Sequence, residues 1–395
     1  MNFNKFSYDL GAAPSGIREL FAFAQKRAAI VGPENVFDFS IGNPSVPAPK
    51  EVEDAMKEII ENMSAIDLHA YTNAAGAEGT RAAIAGNLTR RFGVEFGADD
   101  IYVTVGAAAA LNIVLKSLIA KEDDEIILLT PFFPEYTVFT QAQGGVPVIC
   151  ETDENLMIDI DKLAAAITEN TKGIIINNPN NPAGVIYTEE NLKAAFALLE
   201  EKEKEYGHPI FVIADEPYRE LVYSDNKPVF LPTLYKNTVI CYSWSKSLSL
   251  PGERIGYVAL PKQVDEWQEF IYAINGAGRA LGYVNAPSLM QYVVEKCIDV
   301  EPDLAPYIEC RDVLVKELTE MGYNVASPDG AFYLFIEAPD GNGVDFCARL
   351  KEKDVLLVPG GAFAAPRFAR LAYCCPADKV RRAMPAFKEV METYK

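Results

Sequence analysis

From about Asp99 the chain alternates short, wholly apolar runs with stretches whose apolar residues recur at helical spacing. Residues 101–105 read as a strand that stops at Gly106, and residues 107–120 as an alanine-rich helix. Further strands are predicted at 125–129, 146–150, 173–176, 210–214, 238–242 and 256–260, with a helix over 189–205 between two of them. Strands that are apolar throughout and separated by helices predict an α/β fold, with a mostly parallel central sheet covered by helices on both faces. Ligands of such sheets sit beyond the carboxyl ends of the strands. That rule singles out Gly106, residues 178–181, Asp215 and Ser243 before any family is considered.

After about Gly282 the texture changes. Helical patterns over 288–300 and 306–321 lead into strand-rich sequence at 331–337, 355–358 and 368–374, and 377–394 reads as a final helix. The expected organisation is an N-terminal segment, 1–45, packed on the smaller domain, a large domain over 46–282, and a small α+β domain over 283–395. Cys374 and Cys375 are expected in the strand 368–374 or at its end.

The 395 residues are 49% hydrophobic, ample for a buried core. With 36 Lys and Arg against 56 Asp and Glu, the net charge is −20. Such a surface repels phosphate backbones, so no nucleic-acid partner is expected. An anionic substrate must instead be caught by locally placed Arg or Lys. Seven Cys without a C-x-x-C pair indicate reduced thiols and a cytoplasmic setting. Two His, His69 and His208, are too few for His-rich metal sites or Ser-His-Asp chemistry, and no metal is expected. No run of eighteen apolar residues predicts a membrane helix, and the N-terminus lacks the pattern of a signal peptide.

Four motifs carry candidate chemistry. Ser243-Trp244-Ser245-Lys246 places one lysine among small hydroxyls after a strand, with Arg254 eight residues on in Gly252-Glu253-Arg254-Ile255-Gly256-Tyr257. An amine so placed suits a nucleophile, and the hydroxyls and Arg suit a phosphate. Alone, the segment reads equally as a polar loop. Asp215-Glu216-Pro217-Tyr218 offers a carboxylate for a protonated ring nitrogen, or an acidic turn. Residues 177–184, NNPNNPAG, offer an amide donor, or simply a turn. Gly106 followed by four alanines offers backbone N–H groups to an anion, or a good helix start.

The four occur in order, each behind a predicted strand. Together they closely resemble the class I/II aminotransferases, pyridoxal-phosphate enzymes of fold type I. The resemblance runs from the Ser15-Gly16-Ile17-Arg18 segment to the C-terminal helix. It implies pyridoxal 5′-phosphate as cofactor, held on Lys246 as a Schiff base, with Asp215 at the pyridine nitrogen. Tyr218 and Asn181 then bond the ring's phenolic oxygen, and Phe133 stacks on the ring. Ser243, Ser245, Arg254 and the backbone of Ala107 and Ala108 hold the phosphate. Relatives often carry a hydroxyl or lysine in that last loop, where this chain has only alanine. Tyr71 matches a tyrosine lent to the neighbouring subunit's phosphate, which implies a homodimer. Arg370 matches the arginine for the substrate carboxylate, and Gly42, with Asn181, borders the substrate.

The implied reaction is transamination between an L-amino acid and a 2-oxo acid, with 2-oxoglutarate the expected acceptor and an aspartate-like or broad range of donors. Arg279 is a candidate for a second carboxylate. The alternatives are another reaction of this cofactor, such as C–S β-elimination, and a non-catalytic ligand sensor. The DNA-binding module that accompanies such sensors is not expected ahead of an acidic chain whose family resemblance already begins near Ser15.

Overall fold

The structure is a computed structural model that describes residues 2–13, 16–326 and 328–395. Ser15, at the head of the expected family match, lies outside the described residues. The chain divides into two compact units. One comprises Val46–Leu304 and Asp329–Ala331, and the other Met1–Ser45, Ala305–Pro328 and Phe332–Lys395.

The larger unit is built on seven strands: β1 (Ile101–Thr104), β2 (Glu125–Leu129), β3 (Val146–Cys150), β4 (Thr171–Asn177), β5 (Phe211–Asp215), β6 (Thr238–Ser243) and β7 (Gly256–Ala259). Their order across the sheet is β1-β7-β6-β5-β4-β2-β3. All neighbours are parallel except β7, which runs antiparallel to both β1 and β6. Apart from Lys172 in β4, the central strands are buried throughout, so both faces must be apolar, as their Ile- and Val-rich runs are. One face of β1, β6 and β7 packs with helices Lys50–Asn62, Glu78–Phe92 and Ser288–Lys296 around Ile84, Leu88 and Val293. A second core joins β2, β4 and β5 to helices Ile160–Ala166 and Glu189–Tyr206 through Leu163, Leu192 and Phe196. The latter helix is capped at its start by the Thr188 side chain, which accepts from Asn191 N, and ends at left-handed Gly207.

The tripeptide Asp329–Ala331 belongs to this unit although the chain on both sides of it belongs to the other. Asp329 N and Gly330 N donate to Gly184 O, each at 3.0 Å, and Ala331 N donates to Leu221 O at 2.9 Å. Tyr223 N returns a bond to Asp329 O at 2.7 Å.

The smaller unit has a four-stranded antiparallel sheet in the order Val358–Pro359, Phe368–Ala372, Tyr333–Glu337, Asn324–Ala326. Helices Ala305–Met321 and Ala377–Glu392 pack on each other, and Phe37–Asp38 pairs parallel to Val355–Leu356. The strand Phe368–Ala372 stops before Cys374 and Cys375, so neither lies in it, and Pro376 then caps the final helix.

Candidate active site

Strand register decides which side chains share an edge. Asn177 lies opposite Asp215, Asp215 opposite Cys241, Ser243 opposite Gly256, and Gly256 opposite Thr104. The carboxyl ends of β1, β4, β5 and β6 therefore line one edge. Because β7 runs the other way, its start lies there too and delivers Arg254.

Asp215 is the electrostatic centre. It is only 5% exposed. Its Oδ2 accepts a 2.5 Å hydrogen bond from the Tyr136 hydroxyl, while Oδ1 is buried with no hydrogen-bond partner. Burial pushes the carboxyl up to about 7, with Tyr136 acting against the rise and Glu216 adding to it. Burial, with Asp215 nearby, pushes the Tyr136 phenol up as well, so it stays a donor. The backbone is fastened too: Asn177 Nδ2 donates to Asp215 O at 2.8 Å, and Asn177 Oδ1 accepts from Asn181 N at 2.6 Å. One side chain thus ties the N-N-P turn to the end of β5. Asn181 and Tyr218 are both buried there.

Lys246 is half-buried on the short helix Trp244–Ser247 directly after β6. Ser243 caps this helix by accepting from Ser245 N at 3.1 Å, and the two hydroxyls are 2.7 Å apart. Arg254 Nη1 donates to Pro251 O at 2.9 Å and reaches Ser245 Oγ at 3.5 Å. Gly106, at φ +91°, opens the helix Ala107–Leu118, and a Cβ there would come within 2.6 Å of Arg254 Nη2. A Cβ on Gly256 would run into the Tyr242 carbonyl oxygen and lie 2.9 Å from Gly106 Cα. Two glycines thus let three chain segments close on one another. The result gathers a guanidinium, two hydroxyls and the first N–H groups of a helix, including those of Ala107 and Ala108. The helix itself cannot satisfy those N–H groups, and they favour an anion.

Phe133 is half-buried and meets the Tyr136 ring edge-on, centroids 5.6 Å apart. Tyr71 stands apart, 93% exposed. Its neighbour Thr72 is held by Asn285 Nδ2 at 2.6 Å and Gln291 Nε2 at 3.2 Å. Arg279 is exposed on helix Trp267–Leu281. In the smaller unit Arg370 is 4% exposed. It donates to Ser40 O at 2.6 Å and sits over the rings of Tyr333 and Phe363. Gly42 belongs to the same cluster, because a Cβ there would collide with the Tyr333 hydroxyl.

The sequence did not single out Tyr136, and it offered Asn177 only as the first residue of the 177–184 turn. Tyr136 follows Pro134 by two residues, and nothing in a helix start tells a core tyrosine from one that faces a carboxylate. For Asn177, the turn reading carried no sign that its side chain would bond both Asp215 O and Asn181 N.

Pyridoxal 5′-phosphate presents an aldehyde, a basic ring nitrogen and a phosphate. The larger unit offers an amine at Lys246, a buried carboxylate oxygen awaiting a donor at Asp215, and an anion seat at Gly106 and Arg254. The residues fit the group.

Residues 34–387 match the family model for aminotransferase class I and II. A crystal structure of an aminotransferase from Eubacterium rectale superposes with a TM-score of 0.98 at 49% identity, covering 100% of both chains. Aspartate aminotransferase from Thermus thermophilus, solved with maleate, gives a TM-score of 0.85 at 26% identity over 99% of this chain and 100% of its own. A probable aspartate/prephenate aminotransferase from Aquifex aeolicus is 31% identical over 382 residues, 91% of either chain. The fold is that of the pyridoxal-phosphate transferases of fold type I. The chain belongs to the class I and II aminotransferases, and its cofactor is pyridoxal 5′-phosphate.

Proposed function

We propose that this transaminase moves amino groups between L-amino acids and 2-oxo acids, with 2-oxoglutarate as acceptor and an aspartate-like or broad range of donors. The observation that carries the reading is the buried Asp215 carboxylate with an open oxygen, on the same sheet edge as Lys246 and the anion seat. The donor range rests on the relatives' names, which include aspartate and aromatic-amino-acid aminotransferases.

When bound, the cofactor supplies an aldehyde carbon that takes the amino group and a ring that draws electrons from the substrate Cα. Asp215 keeps a proton on the ring nitrogen, which its burial favours, because an unpaired carboxylate there is costly. Tyr218 and Asn181 donate to the ring's phenolic oxygen, and Phe133 covers a ring face. Ser243, Ser245, Arg254 and the N–H groups of Ala107 and Ala108 hold the phosphate. The Lys246 amine holds the resting cofactor. Once displaced, that amine would take the proton from the substrate Cα and return it to the former aldehyde carbon on the far side of the shared nitrogen, acting as base and then acid. Arg370 grips the substrate carboxylate with its planar fork, beside Gly42. The enzyme works as a cytoplasmic homodimer in which Tyr71 reaches the neighbouring subunit's phosphate. Its partners are small amino and oxo acids, and no helix among the described residues is long and apolar enough to cross a membrane.

A panel of amino donors with 2-oxoglutarate tests this. Glutamate and the matching oxo acid should form in equal amounts, with ping-pong kinetics. Pyruvate and ammonia from a sulfur amino acid, without glutamate, would establish β-elimination instead. Unchanged aspartate turnover in Arg279→Ala would remove that residue from substrate recognition.

A further inference from the structure

Behind the site runs a buried polar chain that the reaction does not use. Glu216, next to Asp215, is buried and forms an ion pair with Arg219, whose Nε donates to its Oε2 at 2.5 Å. The Arg219 guanidinium is itself buried. It donates from Nη1 to the Tyr257 hydroxyl at 3.1 Å and lies over the Tyr242 ring, 4.6 Å from the centroid. The Tyr242 hydroxyl donates to Glu220 Oε2 at 2.8 Å and lies 2.8 Å from Ser247 Oγ. Glu220 is held in turn by Arg91 Nη1 at 3.0 Å. Ser247 is the residue after Lys246. Side chains therefore link the residue that follows Asp215 to the residue that follows Lys246, across β5 and β6.

We infer that Arg219, acting through Tyr242 and Ser247, is a positioning residue that fixes the spacing between Asp215 and Lys246. The sheet sets where β5 and β6 end, but Lys246 lies beyond the sheet on a helix of four residues, which backbone pairing holds weakly. A ring whose nitrogen meets Asp215 and whose aldehyde meets Lys246 needs both partners at one separation. Burying a charged pair and a guanidinium among aromatic rings is costly for stability alone, and a fixed geometry is what such pairs best supply.

The inference rests on the proposed roles of Asp215 and Lys246, and two cofactor forms test it by binding, without turnover. Pyridoxal 5′-phosphate engages Asp215 through its ring and condenses with Lys246, releasing water. Pyridoxamine 5′-phosphate carries an amine in place of the aldehyde and makes no bond to Lys246. Dissociation constants for both are measured on the cofactor-free full-length chain for wild type, Tyr242→Phe and the charge-balanced double variant Glu216→Gln/Arg219→Met. Both variants should weaken the aldehyde form at least five-fold more than the amine form. Equal weakening of the two forms, or an unchanged ratio in either variant, overturns the inference and leaves the chain a support of the fold only. Failure of the wild type to attach pyridoxal 5′-phosphate to Lys246 would instead sink the site assignment on which it rests.

Discussion

Replacing Asp215 by Asn should make the cofactor-free protein more stable while weakening its hold on the cofactor. In the folded chain, burial raises this carboxyl from 3.8 to about 7. The native state therefore binds the proton more tightly than the unfolded chain. The stability this gives is present below the unfolded value and is lost as pH rises from 3.8 through about 7. That rise corresponds to about 4 kcal/mol at pH 8, falling to about 2 kcal/mol at pH 5. Asn has nothing to ionise and keeps an oxygen for the Tyr136 hydroxyl, so the variant should escape this cost. Spread over 395 residues, the gain corresponds to a melting temperature about 5 °C higher at pH 8 and about 2 °C higher at pH 5. Thermal melts of cofactor-free wild type and variant across that pH range provide the assay. Cofactor affinity should move the other way, by about 10- to 100-fold, since a charge-assisted bond at the ring nitrogen is lost. A variant no more stable than wild type at pH 8, or a gain that does not shrink toward pH 5, would refute the electrostatic account of Asp215.

Tyr136→Phe removes the donor at Asp215 Oδ2, which holds that carboxyl down, and should raise it further, so that cofactor affinity falls several-fold at pH 7 and recovers as pH rises; titration of cofactor binding against pH reads it. Lys246→Ala should leave no borohydride-trapped label at that position by mass spectrometry and cut turnover at least about a thousandfold. Gly256→Ala forces a Cβ onto the Tyr242 carbonyl and the Gly106 backbone, and should cost about 1–3 kcal/mol in denaturant unfolding together with weaker cofactor binding.

Much of the architecture was legible because parallel strands buried on both faces leave unbroken apolar runs. The runs at 125–129 and 146–150 coincide with β2 and β3, and the helix predicted at 189–205 ends one residue later, at Tyr206 before Gly207. The antiparallel direction of β7 was not legible, since an apolar run carries no sign of which way it points. Residues 355–358 read as one strand, yet Val355–Leu356 and Val358–Pro359 pair with different partners on either side of Leu357. In the site, residues that end apolar runs were found from their position. Those that act from behind were not: Tyr136 and Arg219 meet the site only through side-chain geometry across distant segments, and the part Asn177 plays there was equally hidden in its turn.

The three residues at 329–331 make the larger unit a discontinuous object. A fragment cut after Leu304 would contain every strand of the seven-stranded sheet and still be incomplete. The carbonyls of Gly184 and Leu221 would lose their donors, and Tyr223 N its acceptor. Gly184 ends the N-N-P-N-N-P-A-G segment and Leu221 and Tyr223 follow D-E-P-Y, so truncation would loosen the very turns that carry Asn181 and Tyr218. Attempts to minimise this enzyme by excising one unit should therefore graft a surrogate for that tripeptide, and a ribosome releasing the chain must have passed residue 331 before the turns can settle.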